Sequence, residues 1–165
     1  MTESNNLTCG ELASDRLASL LVPYSIEVIT IDNDTNLPGS FWGDPEAGLI
    51  DNRLYIKPVT PVQSALHEAC HYICMDQQRR QKLNTDAGGG YDEENGVCYL
   101  QILLSALIPE CGKERMFSDM DAWGYSFRLG SARAWFEQDA EDARRWLENH
   151  HIIDAQQQPT WKLRE

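Results

Sequence analysis

The chain has 165 residues, of which 42% are hydrophobic, and it carries a formal net charge of −12. That length suits one domain, and about 70% of the unfolded chain's surface can be buried at this size, so a disulfide framework is not needed. The acidic balance repels a phosphate backbone on average, which argues against nucleic acid as a partner and fits a solubility role.

The first ten residues and residues 154–165 are polar and read as loosely ordered ends. From Glu11 to Leu21, Leu12, Leu17, Leu20 and Leu21 make a helical stripe that Pro23 ends. Tyr24, Ile26 and Val28 alternate with polar residues as a strand does. Asp32 to Gly39 is turn chemistry. Residues 40–43 and 49–57 read as two further short strands around a turn at 43–46, with Leu54 and Ile56 sharing a face. A helix then opens, with Thr60 as N-cap, Pro61 at the first helical position and Gln63 completing a capping box, and should run to about Lys82. The glycines at 88–90 break any helix over 84–90. Asp92 caps a helix over 93–108, stopped by Pro109. Ser118 caps one towards Leu129, with Gly130 as its stop, and Ser131 caps a last one over 132–149. Strands precede helices rather than alternating with them. The expected fold class is α+β: a small mixed sheet of about three strands on the central helix, then a helical C-terminal half, all in one domain.

The five cysteines, Cys9, Cys70, Cys74, Cys98 and Cys111, are an odd number. The first residues lack the basic-then-apolar pattern of a secretory leader, and no apolar run approaches a membrane span. The expectation is a cytoplasmic, reducing setting, free thiols and no membrane partner.

The central motif is His67-Glu68-Ala69-Cys70-His71. Residues four apart share a helix face, so both imidazoles can reach one ion, with Glu68 about 100° around the axis from His67. Glu68 can then take a proton from a metal-bound water without itself binding the metal. One Zn2+ suits this donor set, and three protein ligands leave a position open for water. Leu66, Ile73 and Met75 flank the motif and imply a buried helix, in which two histidines and a glutamate are costly unless something satisfies them. The third ligand is expected from the next helix, where Glu93 and Glu94 follow His71 by 22 and 23 residues. Glu93 shares the apolar stripe of Gly96, Val97, Leu100, Leu104 and Leu107, and Gly96 would let the two helices approach closely. Glu94 shares the more polar stripe of Cys98, Gln101 and Ser105. The apolar stripe favours Glu93, with Glu94 as the alternative; both also suit a helix N-terminus.

His67-Glu68-x-x-His71 followed by an acidic residue on a later helix resembles the gluzincin group of zinc metallopeptidases, in a minimal form. The resemblance covers about residues 24–108. It implies a zinc-dependent hydrolase, most readily a metallopeptidase with Glu68 as general base and acid, acting on a peptide or protein substrate bound along an edge strand, for which 40–43 is the best match. Many gluzincins place an acidic residue four positions after the glutamate ligand to orient a histidine. Here those positions are Val97 and Cys98, so a different group must do this. Tyr125 is the leading candidate for stabilising the oxyanion, with Arg128 and Tyr91 as others.

Two other readings stand beside this one. His67, Cys70, His71 and Cys74 share a helix face, and Cys98 is an alternative third ligand. Four donors spread over about 10 Å of helix cannot meet at one ion, however, and buried cysteines usually act as small hydrophobes. The chain could instead be a non-proteolytic zinc-binding regulatory or protein-interaction module. Trp123, Tyr125, Phe127, Trp135, Phe136 and Trp146 would then serve an interface, although Trp135, Phe136, Ala143 and Trp146 also fit an amphipathic helix. His150 and His151 suit a helix C-terminus better than a metal.

Overall fold

The computed structural model describes residues 5–35, 38, 46–82 and 89–164. It is α+β: helix α1 (Arg16–Leu21) precedes strands β1 (Glu27–Thr30), β2 (Gly48–Ile50) and β3 (Arg53–Ile56), and helices α2 (Val62–Cys74), α3 (Gln77–Gln81), α4 (Tyr91–Ser105), α5 (Gly112–Trp123), α6 (Ala132–Gln138) and α7 (Glu141–Asn149) follow them. The sheet order is β1-β3-β2, with β1 parallel and β2 antiparallel to β3. Residues 49–57 are thus a hairpin rather than one strand. Its turn is at Asp51, which adopts φ 53°, a left-handed conformation that Asp tolerates. Leu54 and Ile56 are both buried, as their alternation requires. The strand near residue 24 begins later, because Val22–Tyr24 forms a 3-10 turn after α1. The expected strand at 40–43 lies outside the described residues.

The motif helix α2 has buried residues on every side, packing against β2, β3, α4 and α5. Pro61, not Thr60, is its N-cap. The Thr60 hydroxyl instead accepts from the Lys57 amide, and Gln63 faces Tyr125, so no capping box forms. The helix stops at Cys74. Asp76 caps a separate turn, accepting from the Arg79 amide at 2.9 Å, which is why the chain does not continue as one helix to 82.

Other boundaries also differ from expectation: Gly90 rather than Asp92 is the N-cap of α4, so Asp92 lies inside that helix, which ends at Ser105. Ser118 lies inside α5, which ends on Gly124 at φ 105°, a left-handed stop. Ser131 does cap α6, accepting from the Ala134 amide, but the expected long final helix divides at Asp139–Ala140 into α6 and α7. Near both ends of the described chain, backbone bonds reach the body of the fold. The Val62 amide donates to the Leu7 carbonyl, the Leu7 amide donates to Asp119, and Leu7 is buried. In the tail, Ile152 and Ile153 are buried and the Arg164 amide donates to the Ile73 carbonyl.

No helix among the described residues is long and apolar enough to cross a membrane.

Candidate metal centre

Helices α2 and α4 face each other across the molecule's interior, and the motif lies in their contact. One turn of α2 separates His67 from His71, and their Nε2 atoms lie 3.1 Å apart. From α4, the Glu94 carboxylate reaches both: one oxygen is 3.0 Å from His67 Nε2 and the other 3.2 Å from His71 Nε2. Ligands about 2.0–2.1 Å from one ion at tetrahedral angles lie about 3.3 Å from one another. The three separations observed are therefore close to those around one zinc ion.

The donor chemistry fits a cation as well. Gln101 Oε1 lies 2.9 Å from His67 Nδ1, while its amide nitrogen donates to the Gln63 carbonyl at 3.0 Å. The amide is thereby oriented so that its oxygen accepts a proton from Nδ1, which leaves the Nε2 lone pair directed towards His71 and Glu94. Two ring nitrogens and a carboxylate converging this closely need a bridging proton or a metal ion between them. Burial alone would depress the pKa of His67. Its hydrogen bonds to Cys98 and Glu94 act against burial, and the ring is held well above its ordinary value. Burial opposes ionisation of Glu94 too, but the hydrogen bond and charge of His67, with the charge of His71, bring its pKa below the usual range. The Glu94 side chain is 45% exposed against 10% for that of His71, so the centre opens on the Glu94 side.

Of the two glutamates considered as third ligand, Glu94 is the one that lies beside both histidines, and Glu93 points elsewhere. Helix α4 has two buried faces. Its apolar stripe turns away from the motif towards α7, where Gly96 lies so close to Trp146 that an added Cβ would sit 2.7 Å from the ring. The polar stripe of Glu94, Cys98 and Gln101 faces α2. Glu93, 5% exposed, is held by Arg79 Nη1 at 2.9 Å, by a second bond to Arg79 Nη2, and by Arg164 Nη1 at 3.0 Å. It joins α3 and the tail to α4.

Glu68 is half-buried on α2, near enough to Tyr125 for its charge to act on that hydroxyl. The Tyr125 ring meets His67 edge-on at 5.6 Å, and its hydroxyl donates to Gln63 Oε1 at 2.7 Å. Burial first, with Cys98 and Glu68 adding and His67 opposing, pushes the Tyr125 pKa up to about 12, so it stays a proton donor. Arg128 is paired with Asp139, and Tyr91 is 78% exposed. Cys98 belongs to the centre: its sulfur, a His67 nitrogen and a Glu94 oxygen all lie within 4.8 Å of one another. Cys70 and Cys74 are buried in the core, and the His150 ring packs on Trp146 at 4.4 Å.

Gln101 and Gln63 were not anticipated as site residues. The signal was available: Gln101 is a polar side chain in the apolar run from Val97 to Ile108, and a buried amide in such a place needs specific partners. Comparison of the chain with protein-family models, with curated proteins and with solved structures found no match.

Proposed function

We propose that this protein is a zinc-dependent hydrolase, most readily a metallopeptidase, with His67, His71 and Glu94 as the zinc ligands. The observation that carries this reading is the mutual approach of the three donors to 3.0–3.2 Å at a solvent-accessible edge. A bound zinc ion would supply Lewis acidity and a water of lowered pKa. Gln101 sets the tautomer of His67. Glu68 takes one proton from the attacking water and passes it to the leaving amine nitrogen as the C–N bond breaks, so that the proton count balances. Tyr125, kept protonated beside His67, is the hydroxyl offered to stabilise an oxyanion, and would have to exchange its bond to Gln63 for one to substrate.

An extended peptide is the substrate form favoured by the sheet, in which β2 is an edge strand among the described residues and lies beside α2. A cleft of about 200 Å³ at the start of α4 is walled by Tyr91, Asn95, Phe127 and Trp135 and offers room for a substrate side chain. Phe127, on the wall of this cleft, stacks on Tyr125. All five cysteines are free, which suits the reducing cytoplasm.

The test is cleavage of a peptide library by the zinc-loaded wild type and by Glu68→Gln. The expected result is cleavage by the wild type and a loss of about 10²- to 10⁴-fold in the variant at unchanged zinc content. Equal cleavage by both would refute Glu68 as the proton carrier. Zinc binding with no cleavage by either would favour the non-proteolytic module.

A further inference from the structure

We propose that Cys98 is a fourth, displaceable ligand of this centre, so that the resting site is closed by the protein's own thiolate. The inference rests on the His67/His71/Glu94 reading and adds to it.

Cys98 does not stand alone. It lies one helical turn after Glu94 on α4, on the stripe that faces α2, and its sulfur shares a neighbourhood no wider than 4.8 Å with donor atoms of His67 and Glu94. In a closed tetrahedral site with zinc–sulfur and zinc–nitrogen distances of about 2.3 and 2.0–2.1 Å, sulfur and nitrogen lie about 3.6 Å apart. Turning one side-chain torsion moves a cysteine sulfur by more than the difference. Cys98 is 6% exposed, which leaves the sulfur little access to competing partners in solvent. Three protein ligands with a vacant fourth position characterise catalytic zinc, and four characterise structural zinc. This chain has the means for both: His67, His71 and Glu94 would hold the ion, while Cys98, which groups with His67 and Glu94 but not with His71, would reach it by turning about a single rotatable bond. As the metal–sulfur bond forms, the thiol proton passes to solvent. When it breaks, an oxygen donor takes the position and the sulfur recovers a proton. The site would thus turn over only when a substrate or a water displaces the thiol.

The test uses the full chain loaded with one equivalent of Co2+ in place of zinc, read by absorption. The wild type is expected to show a near-ultraviolet thiolate-to-cobalt charge-transfer band. Cys98→Ser should lose that band and keep the visible cobalt transitions, whereas Cys70→Ser should keep both. Saturating acetohydroxamate, a bidentate oxygen chelator, should remove the band from the wild type. X-ray absorption of the zinc-loaded wild type should give one sulfur at about 2.3 Å and needs no variant to fold. Cobalt bound without the band, or a band surviving in Cys98→Ser, would overturn the thiolate ligand and leave the His/His/Glu centre standing. A band that persists with acetohydroxamate bound would overturn its displaceability. Failure to bind cobalt or zinc at all would remove the underlying centre too.

Discussion

Exchanging Glu93 and Glu94 in turn for Gln separates two neighbouring carboxylates that have opposite tasks. Glu93 is 5% exposed and receives three charge-assisted hydrogen bonds, two from Arg79 and one from Arg164. Such bonds contribute about 1.5–3 kcal/mol each. The Arg79 and Arg164 side chains are 34% and 21% exposed and can turn partly to water, and Gln keeps one acceptor. The loss is therefore set at about 2–3 kcal/mol in all. At this chain length each kcal/mol moves the melting temperature by about 2–4 °C, so metal-free Glu93→Gln should melt about 5–10 °C lower. Its zinc affinity should match the wild type. Glu94→Gln should lower zinc affinity by at least about 100-fold for a lost ligand, while its metal-free stability should fall less than that of Glu93→Gln, because the Glu94 side chain that pairs with His67 and His71 is 45% exposed. Thermal melting of the metal-free proteins and competition against a chelating dye give the two numbers. Weakened zinc binding in Glu93→Gln, with stability intact, would refute the assignment of both residues.

Gln101→Leu removes the acceptor that orients His67 and should lower zinc affinity by about 10- to 100-fold without touching a ligand; unchanged affinity in the dye competition would show that the amide does not set the ring. Gly96→Ala places a methyl against Trp146, whose ring is also contacted by His150 and by the Arg164 guanidinium and has little room to yield. Overpacking of about 1–3 kcal/mol should outweigh the helix gain of about 0.5–1 kcal/mol, and urea unfolding should show a net loss. A more stable variant would contradict the close approach.

The amphipathic patterns were sufficient for the fold class and for the motif helix, because a buried helix between a sheet and other helices leaves a strong apolar signature. The His67–His71 pair was legible from its spacing alone. The choice between Glu93 and Glu94 was not. The rule that the apolar face points inward has one answer for a surface helix, whereas α4 is buried on two sides and offers its polar stripe to the helix carrying the histidines. The partners of Glu93 come from Arg79 and Arg164, 14 and 71 residues away, a tertiary arrangement that local periodicity does not encode. The ends looked loose for the same reason: polar composition does not disclose that the Leu7 amide meets Asp119 or that the Arg164 amide meets Ile73. The helix breaks at Met75 and Asp139 were hidden because neither stretch contains a glycine or proline, and the capping geometry at Asp76 is what makes the first visible.

The most direct measurement is the zinc content of protein purified without chelators and dialysed exhaustively, for the wild type and His71→Ala side by side. The wild type should hold one zinc per chain and His71→Ala much less than one. A wild type devoid of zinc that takes none up on addition, or full occupancy retained by His71→Ala, would contradict a metal centre at these three side chains.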